Sequence, residues 1–156
     1  MKHKVKKDKK TGLKTIAICS SASFYREVLA IERQLIERGM KVRIPVTAQK
    51  MGRTGDFNVE NIKTWFKDPR MYTRKAFLMR HHLRKIAESD AILVVNLPKN
   101  GISGYIGGNV LIEMGVAFHL KKPIYLLHPI ADALPVKEEV LGMEPKFLNG
   151  NLLRFG

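Results

Sequence analysis

The chain has one cysteine, Cys19, in 156 residues. A single thiol excludes an internal disulfide and a cysteine-based metal cluster, and it agrees with a reducing compartment. No apolar run approaches the ~18 residues of a membrane-spanning helix. The basic N-terminus lacks the apolar stretch of a signal peptide, so the expectation is a cytoplasmic protein with no membrane association. Acid is scarce as well: 14 Asp and Glu stand against 28 Lys and Arg, a formal net charge of +14. That balance favours polyanionic partners or phosphorylated ligands. A charge run alone is more often only a solvated face and an unfolded tail.

The excess is concentrated in two places. Residues 1–14 (MKHKVKKDKKTGLK) carry seven Lys against Asp8. They hold too few apolar groups to pack, which predicts a disordered basic tail. Residues 61–85 carry Lys63, Lys67, Arg70, Arg74, Lys75, Arg80, Arg84 and Lys85 against Asp68. Both stretches are candidates for weak nucleic-acid contact. With 45% hydrophobic residues, 15–156 is long enough for one domain with a full core.

Along that domain the pattern alternates. TIAICS (15–20) reads as a strand, and apolar residues at helical spacing over 23–38 predict a helix stopped by Gly39. Lys41–Val46 reads as a second strand. Gly52, Gly55, Asp56, Asn58 and Pro69 predict a loop over 47–70, with one helical turn near Trp65. A helix over 71–88 is expected to turn Phe77, Leu78, Leu83, Ile86 and Ala87 inward. AILVVN (91–96) and PIYLL (123–127) are continuous apolar runs, as strands covered on both faces show. Between them lie a glycine-rich turn and a helix over 109–120; a short helix at 134–141 and a strand at 146–149 follow. The expectation is an α/β fold: a single-domain open parallel sheet, a flavodoxin-like or Rossmann-like three-layer sandwich with helices on both faces.

In such sheets ligands bind beyond the carboxyl ends of the strands. Ser20, Ser21, Ser23 and Phe24 after the first strand, and the segment from Asn96 to Asn109 after the third, fall at that edge. Asp90 falls at the other edge and reads as a structural turn residue. GYIGGNVLIEMG (104–115) stands out: Gly104, Tyr105, Gly107, Gly108 and Asn109 open a helix whose free N–H groups suit an anion. It is neither GxGxxG nor a P-loop, so the glycines could also make a tight connection only. Asn109 suits an N-cap. Asn96 could orient a ribose or base, or tie down its loop, and Phe24 and Tyr25 could stack a base or fill the core. Glu113, the lone acid in an otherwise apolar helix, is either a group matched to the helix dipole or a nucleophile or general base. His81 and His82 point to different faces and have no metal-type i,i+4 partner, so no metal and no cofactor are expected.

Three stretches, ICSSASFYREVLAIERQLIERGMKV (18–42), SDAILVVN (89–96) and GYIGGNVLIEMGVAFHLKKPIYLL (104–127), resemble the nucleoside 2-deoxyribosyltransferase-like superfamily. That group also contains the 2′-deoxynucleoside 5′-monophosphate N-glycosidases. The resemblance implies that Glu113 attacks an anomeric carbon and forms a glycosyl–enzyme intermediate. It implies Ser20 and Ser21 facing phosphate or sugar, a nucleoside or nucleotide as ligand, and a homo-oligomer whose contact would involve 47–70 with Trp65 and Phe66. The family's second carboxylate is replaced by His82, its acidic residue before the nucleophile by Gly107, and its first-strand aromatic hydroxyl by Ala17 or Ile18. His82 is then the candidate acid, its ordinary pKa lying near neutrality. The alternatives are a non-catalytic nucleotide-binding or sensing module and a nucleic-acid-binding protein.

Overall fold

Along β1 (Thr15–Ser20) successive side chains leave on opposite faces. Ile16 and Ile18 enter one apolar cluster, while Ala17 and Cys19 enter another. β3 (Ala91–Val95) and β4 (Ile124–Leu126) repeat the division, with Leu93, Val95 and Tyr125 on the first side and Ile92, Val94 and Leu126 on the second. Both faces of these strands are therefore covered, which is why they read as continuous apolar runs. With β2 (Lys41–Arg43) and β5 (Lys146–Phe147) they form a five-stranded sheet in the order β2-β1-β3-β4-β5, parallel throughout. This architecture is a computed structural model that describes residues 12–155.

Helices α1 (Tyr25–Glu37) and α2 (Val46–Thr54) cover the first face, contributing Val28, Leu35, Ala48 and Met51. Helices α3 (Tyr72–Ala87), α4 (Gly108–His119) and α5 (Lys137–Gly142) cover the second, contributing Ile86, Met114, Ala117 and Val140. The fold is the expected α/β, Rossmann-like three-layer sandwich. No helix among the described residues is long and apolar enough to cross a membrane.

Several local expectations change. The strand of 41–46 stops at Arg43, and the "loop" of 47–70 begins with α2. Gly52 sits inside α2 because a Cβ there would lie 3.1 Å from Leu29 Cδ1, so the glycine marks a close approach to α1. The break comes at Gly55, with φ +73, and short 3-10 turns at Val59–Asn61, Thr64–Phe66 and Pro69–Met71 follow. On α3, Phe77 and Ala87 are exposed, and the inward stripe runs through Lys75, Leu78, Met79, His82 and Ile86. A reading from hydrophobicity alone rotates this helix by about one residue, because two polar residues occupy its inward face. Residues 1–11 of the expected tail lie outside the described residues. Its last residues are ordered: Leu13 packs against the core, and the Lys14 and Thr15 amides donate to Asp90 Oδ2 at 2.9 and 2.8 Å. Asp90 thus closes the edge opposite the glycine turn, as a structural residue.

Candidate functional site

From β1 the chain passes to β2 on one side, and β3 lies on the other, so strand order reverses between β1 and β3. Their carboxyl ends diverge there and open a cleft. Its volume is about 190 Å³. A water molecule's share of liquid volume is roughly 30 Å³, so the space admits a small organic ligand.

The floor of the cleft is the start of α4. Gly107 is the N-cap, and the first helical bond runs from Leu111 N to the Gly107 carbonyl. The amides of Gly108, Asn109 and Val110 precede it and line the cleft with the positive end of the helix dipole. Gly108 has open space where a Cβ would stand, and Gly107 is covered by the Tyr105 ring.

One turn further, Glu113 is 6% exposed. The first turn of α4 contains no acidic residue, so Glu113 is not placed to complement the helix dipole. Asn109 is the second residue of α4 rather than its cap. Its Nδ2 donates to Glu113 Oε1 at 3.0 Å, and its Oδ1 accepts from Lys75 Nζ at 2.8 Å. Among the described residues Glu113 Oε2 has no hydrogen-bond partner. Burial pushes the Glu113 carboxyl up to about 7, against the pull of the Cys19 thiol, Lys75 and Asn109.

His82 and Cys19 lie beneath Glu113. Cys19 Sγ and His82 Nε2 are 3.7 Å apart, and one donor atom from each of the three residues falls within 4.8 Å of the others. Burial raises the Cys19 thiol well above its ordinary value, reinforced by the Glu113 charge. Burial first, then the Lys85 charge, lowers His82 to about 4; the Ile18 backbone opposes, although Nδ1 makes no hydrogen bond of acceptable geometry. His82 is therefore a neutral imidazole at pH 7.

The rim carries three lysines. Lys75 Nζ stands 5.3 Å from the Trp65 ring centre, and Lys99 Nζ donates to Ser21 Oγ at 2.9 Å while lying 5.2 Å from the Tyr105 ring centre. Lys63 completes the set. Burial lowers both Lys75 and Lys99, and the Lys63 charge lowers them further. Mutual repulsion of this kind favours an anion between them. Opposite, Thr47 Oγ1 donates to the Tyr25 hydroxyl at 3.0 Å, and burial pushes Tyr25 up to about 12.

Of the residues singled out by sequence, Ser20, Ser21, Tyr105, Gly107, Gly108, Asn109, His82 and Glu113 line the cleft. Four others do not. Phe24 is buried in the α1-side core, and Ser23 is exposed with its amide on Ser21 Oγ. Asn96 spends its amide on His128, donating to its carbonyl and accepting from its N–H, so it ties down the loop. Gly104 adopts φ +66 with its Cα facing the Pro129 carbonyl, a packing role. Trp65, expected at a subunit contact, is 4% exposed and forms a cleft wall, whereas Phe66 is 71% exposed.

Sequence reasoning missed the place of Cys19, Thr47 and the three lysines at the cleft; Tyr25, left open between stacking a base and filling the core, is a core residue whose hydroxyl end reaches the cleft. Lys75, Leu78, Met79 and His82 repeat at i, i+3, i+4 and i+7, a signal that could have found Lys75. Nothing local marks Lys63 or Lys99. Comparison with protein-family models and with curated protein sequences finds no match to this chain.

Proposed function

We propose that the cleft binds a nucleotide and cleaves or transfers its N-glycosidic bond, with Glu113 as nucleophile. The observation that carries this reading is Glu113 Oε2: a buried carboxylate oxygen with no hydrogen-bond partner among the described residues, on the floor of a cleft rimmed by free amides and lysines. The amides of Gly108–Val110 with Lys63, Lys75 and Lys99 suit a phosphate, which favours a nucleotide over a free nucleoside. Trp65 and Tyr105 offer apolar faces for the base or sugar.

In the reaction, a Glu113 oxygen forms a bond to the anomeric carbon as the C–N bond breaks, and the electron pair leaves with the base, which takes up a proton. Water then attacks the anomeric carbon and gives up a proton to the group that protonated the base, the bond to Glu113 breaks, and the sugar phosphate and the Glu113 carboxylate result; a second base in place of water gives transfer. Neutral His82 lacks the ionisable proton of a general acid at pH 7. The Tyr25 hydroxyl is a better candidate. Its oxygen accepts from Thr47, which leaves its own proton free. The test is incubation with deoxynucleotides and nucleosides and chromatography for free base. Release that persists in Glu113→Ala overturns the reading.

A second reading is a nucleotide-binding module without turnover. It is favoured by the composition of the cleft, whose only carboxylate among the described residues is Glu113. It requires nucleotide-dependent thermal stabilisation with no product. Exposed Phe66, Phe77, Ile112 and Phe118 suit the self-association proposed for this protein, which sedimentation would test.

A further inference from the structure

We infer that Cys19, His82 and Glu113 form a binding site for one divalent metal ion of borderline softness, zinc being the natural match. The three residues come from β1, α3 and α4, and all are buried. Thiolate, imidazole and carboxylate are the donor types zinc takes, and three protein ligands with one open position is the arrangement of reactive zinc sites.

The geometry agrees with the chemistry. With Zn–S about 2.3 Å and Zn–N about 2.0 Å, a tetrahedral angle puts sulfur and nitrogen roughly 3.5 Å apart. Cys19 Sγ and His82 Nε2 stand at 3.7 Å. The Glu113 oxygen lies within 4.8 Å of both, so a small turn of its carboxylate completes the third corner. Glu113 Oε2 is a buried acceptor without a hydrogen-bond partner among the described residues, which a cation would satisfy. Asn109 holds the other oxygen and is itself held by Lys75, an outer layer of the kind that orients metal ligands. Glu113 and His82 also face the cleft, which leaves a path of entry and the open fourth position.

Positive charge lies close by, since Lys75 stands near Glu113, with Lys63 beyond it, and Lys85 stands near His82. A divalent ion on one thiolate and one carboxylate is a neutral unit. The lysines therefore face no net positive charge when the site is filled.

This inference does not rest on the glycosidic reading, and its readout involves no turnover. If both hold, they are competing uses of one carboxylate, because an ion bound to Glu113 withholds it from an anomeric carbon. The experiment is titration of the full-length, metal-free protein with Co²⁺. Expected are intense visible bands of four-coordinate cobalt and a near-ultraviolet thiolate-to-cobalt band, saturating at one equivalent and displaced by Zn²⁺. Cys19→Ser should abolish the thiolate band, and Glu113→Gln should weaken binding at least tenfold. Absence of the thiolate band in the wild type, or an unchanged titration in Glu113→Gln, overturns the proposal. The wild type and Glu113→Gln decide the matter even where Cys19→Ser fails to fold.

Discussion

Asn109 bridges Lys75 and Glu113: its carbonyl accepts from the Lys75 ammonium while its amide donates to the Glu113 carboxylate one turn along α4. One side chain thereby passes positive character from the rim of the cleft to its floor. Asn109→Ala removes both bonds. A hydrogen bond to a charged group contributes about 1.5–3 kcal/mol, so the base release proposed above should fall roughly ten- to a hundredfold. Asn109 also holds the Glu113 pKa down, so the pH at which activity rises should move upward. Glu113→Gln should lose at least about 10²-fold, a comparison made by rates with the same nucleotide.

The buried acid and base pull stability in opposite directions with pH. Glu113 is raised from 4.5 to about 7, so the folded state holds the extra proton and stability falls as pH rises through that window. His82 is lowered from 6.5 to about 4, so the unfolded state holds the extra proton and stability falls as pH drops through that window. Relative to wild type, Glu113→Gln should gain melting temperature on going from pH 5 to pH 8. His82→Gln should gain on going from pH 7 to pH 4. Calorimetry in chelator-treated buffer checks both, and parallel trends would contradict the assignment.

The lysine rim should govern charged ligands only. If the proposed nucleotide reaction holds, Lys75→Gln and Lys99→Gln should each raise KM for a nucleotide about tenfold while leaving KM for the corresponding nucleoside little changed. Inorganic phosphate should compete with the nucleotide in wild type and less well in the double variant. Equal effects on nucleotide and nucleoside would mean that the rim contributes structure rather than charge.

Two glycines of the same turn should respond differently. At Gly104 a Cβ would stand 2.1 Å from the Pro129 carbonyl oxygen at φ +66, so Gly104→Ala should cost at least about 2 kcal/mol of stability. Gly108 has nothing within 4 Å and is the first residue of α4, so Gly108→Ala should leave stability unchanged or slightly improved. Its methyl would enter the cleft, so ligand affinity should fall instead. Denaturant melts with and without nucleotide separate the two effects.

The sequence by itself determined the class of fold. β1, β3 and β4 announce a sheet covered on both faces because their apolar runs are nearly continuous, without the polar–apolar alternation of a half-exposed strand, and such a run needs no partner to be read. It also placed the glycine turn and Glu113 at the carboxyl edge, since strand direction follows from chain order in a parallel sheet. What it read wrongly were positions whose role depends on a neighbour far away in the chain. Gly52 looked like a breaker and is a contact with Leu29; Asn96 stayed open between a ligand group and a loop tie until its bonds to His128 were seen; Asn109 looked like a cap and is a bridge from Lys75. The grouping of Cys19, His82 and Glu113 was out of reach for the same reason: a strand and two helices must be stacked before three side chains, 63 residues apart in the first pair, come within 4.8 Å. Local spacing reports which face a residue occupies; only tertiary packing decides what meets it there.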